Sequence, residues 1–293
     1  MKHTHTTLFH ITVYAMLLVF LLAAAFGLIE PLQRAAADSE QIEEEVEIFY
    51  DNSYELRGTD SETVTCMRYT VSEGSANTDC PKYYNTDGTL TNSCAPVAGA
   101  IVVGYYDRLI TAMIPEFVPG VLVNNDYYYY SMSTVGTTIQ PLIGSLYSLM
   151  GTNTLGNGTT RDQYRAGINS HVTAAGYMVN FTNLMSAGAL KKVETMDYIS
   201  YGRVISLYVT NFNLTTVTLG NTSNVYTIQT FVGKHILVAY KYKLIKYYNS
   251  FNTNFRTDIF LYVSTGMSST QAGWFYVGYY GSTLDYADGT LIF

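Results

Sequence analysis

Charged residues are scarce in this chain. Only 13% of its 293 residues are Asp, Glu, Lys or Arg, against 48% that are apolar. That excludes a disordered, charge-rich polypeptide. With a formal net charge of −7 and a pI near 5.2 there is no basic surface for DNA or RNA, so no nucleic-acid partner is expected. Cysteine is also scarce: three residues are too few for a disulfide scaffold or a four-thiolate zinc site, and the odd number leaves at least one thiol unpaired. Of five histidines, His3, His5 and His10 crowd the N-terminus, leaving only the widely separated His171 and His235 in the body. No His-x-x-His or Cys-x-x-Cys spacing occurs, so neither a metal nor another cofactor is expected. Tryptophan appears once, whereas tyrosine appears 28 times, which favours strands and polar-tipped aromatic surfaces.

Only one apolar run is long enough to cross a bilayer, Ile11 to Leu28. Lys2 precedes it, and Pro31 and Ala35-Ala36-Ala37 follow it as a small-residue cleavage region, so residues 1–37 are expected to be an export signal. An uncleaved signal anchor is the alternative, and the only route by which the chain would meet a membrane. Either way the body is expected outside the cytoplasm, secreted or at the extracellular surface. Residues 38–62 carry ten acids and one base, Arg57, whereas residues 63–293 carry twelve acids and thirteen bases. The acidic stretch therefore reads as a solvated linker or pro-segment on a nearly neutral domain spanning 63–293.

Within that domain the pattern changes twice. Residues 63–93 are polar and rich in turns. From Cys94 to Met113 small and branched apolar residues occupy every face, the mark of a buried helix. Ser93 stands at its N-cap position, Pro96 lies in the first turn where a missing N–H is harmless, and Pro115 and Pro119 are expected to end it. Residues 124–192 read as mostly helical around a Gly- and Thr-rich loop from Gly151 to Thr160. The row Tyr127 to Tyr130 reads either as one wall of a groove or as a packing surface. From about residue 201 strands take over: Arg203–Val209, Val225–Val232, His235–Lys243 and Thr257–Val263. Helices followed by strands predict an α+β fold, a helical half packed on an antiparallel sheet half.

The chemistry centres on the thiols. Cys66, Cys80 and Cys94 are fourteen residues apart in turn. Cys66 and Cys80 are candidates for a disulfide in an oxidising compartment, which leaves Cys94 free at a helix start, where unpaired N–H groups and the helix dipole favour a thiolate. His171 lies on an apparent helix and reads as a surface or core imidazole. His235 opens the apolar strand Ile236–Tyr240, so a base on a sheet would face a nucleophile on a helix. The 141-residue separation from Cys94 to His235 falls within the roughly 130–150 typical of papain-like enzymes.

The segment Asn92-Ser-Cys-Ala-Pro-Val-Ala-Gly-Ala-Ile-Val-Val-Gly-Tyr-Tyr-Asp-Arg108 resembles the active-site helix of secreted bacterial papain-like cysteine peptidases. The resemblance is closest to the bacteriocin-processing-peptidase-like group. Gly233-Lys-His-Ile-Leu-Val-Ala-Tyr-Lys-Tyr242 is similar to that group's histidine strand, Tyr201–Val209 to the strand before it, and Thr257–Gly266 with Gly273–Val277 to its closing hairpin. The resemblance covers roughly residues 85–293 and implies a papain-like fold, with Cys94 as nucleophile, His235 as general base and a peptide or protein as substrate.

The chain also departs from that pattern. The glutamine that usually precedes the cysteine by six residues is replaced by Gly88, leaving Asn92 as the nearest amide for an oxyanion hole. The orienting Asn or Asp is replaced by Ser264 or Thr265, with Thr265 at the expected third-member position. Asp258, Asn249 and Asn252 serve only if the hairpin is threaded differently, and Lys241 replaces a glycine of the histidine strand. Two further readings follow: a non-catalytic surface module that binds peptide or cell-wall partners, and a Cys–His pair used for acyl transfer.

Overall fold

A computed structural model describes residues 52–54, 64–66, 68–75, 79–110, 113–124, 126–218, 224–248, 251–278 and 282–293. The expected export signal and most of the acidic stretch lie outside the described residues. Among the described residues are four helices: α1 (Cys94–Asp107), α2 (Met132–Leu149), α3 (Arg161–Ala174) and α4 (Lys192–Ser200). Three small hairpins pair β1 (Asn52–Tyr54) with β2 (Val64–Cys66), β4 (Gly120–Val123) with β5 (Asp126–Tyr129), and β7 (Met185–Ser186) with β8 (Ala189–Leu190). The main sheet has seven strands, β3 (Arg68–Ser75), β6 (Val179–Asn183), β9 (Val204–Thr218), β10 (Asn224–Tyr248), β11 (Asn254–Ser264), β12 (Ala272–Tyr276) and β13 (Thr283–Ile292). Their order is β3-β10-β11-β12-β9-β13-β6, every pairing is antiparallel, and β10 also pairs with β9. Strands β9, β10, β11 and β12 therefore close into a ring. The fold is α+β, as expected.

Helix α1 runs through the core. Every residue from Ala95 to Asp107 is buried, as its all-round apolar sequence requires. At Gly104 an added Cβ would meet the Tyr83 ring at 2.6 Å, so the absence of a side chain there is what lets the loop before α1 lie against the helix. The helix ends at Asp107, well before Pro115. Asp107 Oδ1 instead accepts the Ile114 N–H at 2.9 Å and gathers the following segment back against the helix end. Burial pushes the Asp107 carboxyl up to about 6.

The region 124–192 is less helical than expected. The tyrosine row forms the β4–β5 hairpin, because consecutive aromatics suit a pleated ribbon better than a helix. Its Tyr129 hydroxyl donates to the Tyr105 carbonyl at 3.1 Å. Tyr105 lies eleven residues along α1, roughly 16 Å from Cys94 at 1.5 Å rise per residue, so the row packs at the far end of that helix. Helix α3 begins with a capping box between Thr160 and Gln163 and stops after Ala174, where Gly176 takes φ +88°. The chain then turns into β6, which pairs with β13. His171 on α3 donates its Nε2–H to the Met113 carbonyl at 3.1 Å.

The two expected strands 225–232 and 235–243 are one. Strand β10 continues through Gly233, which takes φ +107° between the paired residues Phe231 and Lys234, so a bulge replaces the expected boundary. The sheet is tied to the helices by Asp288 on β13, fully buried and bound by Arg161 and Arg165 of α3. Burial alone would raise the Asp288 carboxyl, but hydrogen bonds from the two guanidinium groups outweigh it and hold the carboxyl below its ordinary value. Replacing Asp288 with Ala is expected to cost about 3 kcal/mol, because both cations lose their partner while still reaching some solvent. The contribution of a depressed carboxylate is present above its unfolded value and is lost as the pH falls. Chemical denaturation should therefore show the wild-type advantage at neutral pH and its decline below about pH 4.

Candidate active site

The site forms where the N-terminus of α1 meets the edge of β10. Ser93 occupies the N-cap position but makes no side-chain cap bond, and only its carbonyl enters the helix, accepting the Val97 N–H at 2.9 Å. The first N–H groups of α1 are thus available to the Cys94 sulfur. Three main-chain N–H groups bear on it: those of Ala95, of Cys94 itself, and of Ile236 on β10. The last belongs to the residue beside His235, so the fold brings the expected nucleophile against the strand that carries the expected base. Both side chains are half-buried.

His235 is held from two directions. Its Nε2 lies 2.6 Å from the Thr265 carbonyl oxygen. A carbonyl only accepts, so Nε2 carries the proton, and in the neutral ring Nδ1 is left with a lone pair. The face of the imidazole is stacked on Phe212 of β9, with centroids 5.6 Å apart and planes 24° from parallel.

Thr265 is buried and fixed by the loop that follows β11. Its N–H donates to the Gln271 carbonyl at 2.9 Å, its hydroxyl donates to the Thr270 carbonyl, and it accepts the Met267 N–H at 3.2 Å. Thr270 is hydrogen-bonded in turn to Gln229 on β10. Next in the chain, Gly266 takes φ +71°, and a Cβ there would lie 2.9 Å from Val97 Cγ1 on α1. The glycine therefore permits both the turn that aims the Thr265 carbonyl and the close approach of the loop to the nucleophile helix.

The other candidates fall elsewhere. Asn92 is exposed in a left-handed conformation (φ 55°), and its Nδ2 donates to Asn153 Oδ1 at 2.9 Å. Its amide is drawn to the α2–α3 connection rather than left free for an oxyanion. Gly88 is exposed with nothing within 4 Å of its Cβ direction. The Ser264 hydroxyl donates to the Pro81 carbonyl at 2.7 Å. Asp258 pairs with Arg256 at 2.8 Å, opposite Ile245 and ten residues along β10 from His235. Asn252 lies in the β10–β11 turn, and Asn249 is outside the described residues. Lys241 stands over the Tyr240 ring.

Cys80 is a free thiol enclosed in the core, and no disulfide bond joins it to another described residue. The side chain of Cys66 lies outside the described residues. Strand β2 holds Cys66 opposite Asn52, while the loop before α1 carries Cys80 inward beside Tyr83 and the helix.

Opposing effects act on both groups. Burial pushes the Cys94 thiol up, against the three N–H groups that favour its charged form. Burial also pushes the His235 imidazole down, against the Thr265 carbonyl. Both changes favour the neutral forms, a thiol at Cys94 and an uncharged imidazole at His235. Among the described residues no group of three or more His, Cys, Asp or Glu side chains is arranged to hold a metal ion.

Compared with known proteins, the chain matches no family model, no curated protein and no solved structure.

Alkylation of Cys94 by iodoacetamide should be slow at neutral pH and climb only above the range of an ordinary cysteine, following the thiolate fraction. A fast rate persisting to about pH 5 would instead identify a resting ion pair. Gly266→Ala should cost about 1–3 kcal/mol in thermal or chemical unfolding, through backbone strain and the Val97 contact. No loss of stability there would show that α1 does not depend on this approach.

Proposed function

We propose that the chain is an exported bacterial cysteine peptidase of papain-like architecture, with Cys94 as nucleophile and His235 as general base. The observation that carries this reading is the tautomer of His235. Its Nε2–H is committed to the Thr265 carbonyl, its Nδ1 is the unprotonated nitrogen of the neutral ring, and the main-chain N–H of the next residue, Ile236, bears on the Cys94 sulfur. A nucleophile helix packed against an antiparallel ring supports the papain-like arrangement, in which helix and sheet each contribute one half of the pair.

The chemistry follows from these positions. His235 Nδ1 accepts the proton of the Cys94 thiol as the sulfur attacks a peptide carbonyl carbon, so the imidazolium and the new C–S bond arise together. Negative charge develops on the carbonyl oxygen at the N-terminus of α1. The N–H groups that bear on the resting sulfur, those of Cys94, Ala95 and Ile236, are the donors at hand for it, in place of a glutamine side chain. The imidazolium then protonates the departing amine as the C–N bond breaks. A water deprotonated by His235 hydrolyses the thioester, releasing the carboxylate and restoring the thiol. Thr265 supplies through its main chain the acceptor that an Asn or Asp side chain supplies in other triads, stabilising the imidazolium and fixing its tautomer.

The second reading, a peptide-binding surface module without turnover, draws its support from the protonated resting thiol and from Gly88, which leaves no side-chain amide in the usual place. Incubating the full chain with a peptide library separates the two. Cleavage by the wild type, reduced at least about a thousandfold in both Cys94→Ala and His235→Ala, is the expected result. Cleavage retained in Cys94→Ala would overturn the peptidase reading. Peptide binding without any cleavage by the wild type would favour the module, and capture of added amines in the products would show transfer in place of hydrolysis.

A further inference from the structure

The Thr265 carbonyl holds His235 by one edge only. A single N–H···O bond fixes the position of Nε2 but leaves the ring free to swing about that bond, and the swing carries Nδ1 through an arc. A useful base needs its lone pair aimed as well as placed, since errors of about 1 Å in such geometry cost about a hundredfold in rate. Some contact on the face of the ring must supply the missing constraint. Among the described residues, the ring stacked on that face is Phe212.

Phe212 is itself immobilised. Its side chain is 1% exposed, and its Cα partner across the ladder is Phe231 of β10, with which it stacks at 4.5 Å and 16°. Phe231 and His235 flank the bulge at Gly233, so two residues of β10 on either side of an irregularity meet the same ring of β9. The bulge lets both side chains reach Phe212 although they stand four positions apart along the strand.

We infer that Phe212 is a positioning residue for the proposed base, its ring setting the plane of the His235 imidazole and keeping water from one face, so that Nδ1 stays directed while the Thr265 carbonyl holds Nε2. The inference rests on the reading of His235 as the base. The titratable group at the near end of the facing helix is Cys94, while Tyr105, Tyr106 and Asp107 stand at its far end. The loop 265–271 carries no charged residue, and the neighbouring Lys234 is exposed. Water exclusion by the aromatic face agrees with the burial that depresses the imidazole. Removing the ring should hydrate the imidazolium, raise the histidine toward its ordinary value and loosen the aim of Nδ1.

The test follows the His235 ring protons of the full chain by NMR through a pH titration, a readout independent of peptide cleavage. Phe212→Leu and Phe212→Met both remove the ring while keeping an apolar side chain, and whichever folds is used. Phe212→Tyr retains the ring, and Phe231→Leu removes the neighbouring ring that stacks on Phe212. The expected result is an upward move of the His235 titration in the Leu or Met variant, with wild-type behaviour in Phe212→Tyr and a smaller move in Phe231→Leu, which leaves the Phe212 ring in place but less firmly held. If the wild type cleaves peptide, kcat should also fall about ten- to a hundredfold in the ring-less variant with KM little changed. An unmoved titration in a folded ring-less variant overturns the inference, as does an equal move in Phe231→Leu, which would mark a general loosening of the core. A titration that moves as expected in a chain that cleaves nothing leaves the positioning role standing and removes the peptidase reading instead.

Discussion

The arrangement depends on a place where the sheet stops short. Strand β11 pairs with β10 only as far as Ser264 opposite Val238 and then departs at Thr265. Beyond that point β9 still pairs with β10, but on the other side the main chain around Ile236 meets the N-terminus of α1 in place of another strand. Main-chain donors that a longer β11 would have absorbed are thereby presented to a cysteine sulfur, and a carbonyl freed from the ladder meets an imidazole. The contact between α1 and this edge is set by Gly266 against Val97, which is why the loop after β11 can both leave the sheet and lie on the helix.

Two opposing effects meet at Cys94. The N–H groups at a helix start favour the thiolate, each acting over a short distance. Enclosure between a fully buried helix and a strand favours the neutral thiol, and here enclosure prevails. The same enclosure pushes His235 toward its neutral form. In the proposed chemistry the charge separation therefore belongs to the reaction and not to the resting protein. The main-chain dipoles around the sulfur act when charge develops on it, or on the oxygen of the attacked carbonyl, because they are already oriented and need not reorganise.

Much of this was legible in the sequence. The all-round apolar run after Cys94 marked a buried helix, and the Val-, Ile- and Tyr-rich segments after residue 201 marked strands. What escaped was main-chain and long-range. An Asn or Asp was sought to orient His235, yet the acceptor is the carbonyl of Thr265, a group every residue possesses and no sequence pattern distinguishes. Gly266 carried a partial signal, since a glycine closing a strand suggests a left-handed turn. Gly233 carried an ambiguous one, because a glycine between two apolar runs marks either a boundary or a bulge, and only the pairing with β9 decides. Phe212 lay in a row of ordinary strand residues, and its contact with His235 depends on that same bulge.

Orientation by main chain also changes what the site asks of its sequence. A side-chain acceptor depends on one residue type and leaves the loop around it comparatively free. A carbonyl acceptor leaves the residue type free but depends on the whole turn: the N–H of Thr265 on Gln271, its hydroxyl on Thr270, the link from Thr270 to Gln229, and the left-handed Gly266. Each contact is modest by itself, and together they confine one oxygen atom to hydrogen-bonding distance from Nε2. The constraint that a conventional triad concentrates in one amide or carboxylate is distributed here over the loop 265–271 and the strand it is fastened to. The stack on Phe212 extends the same logic to the other rotational freedom of the imidazole, so that both edge and face of His235 are set by residues with no ionisable group of their own.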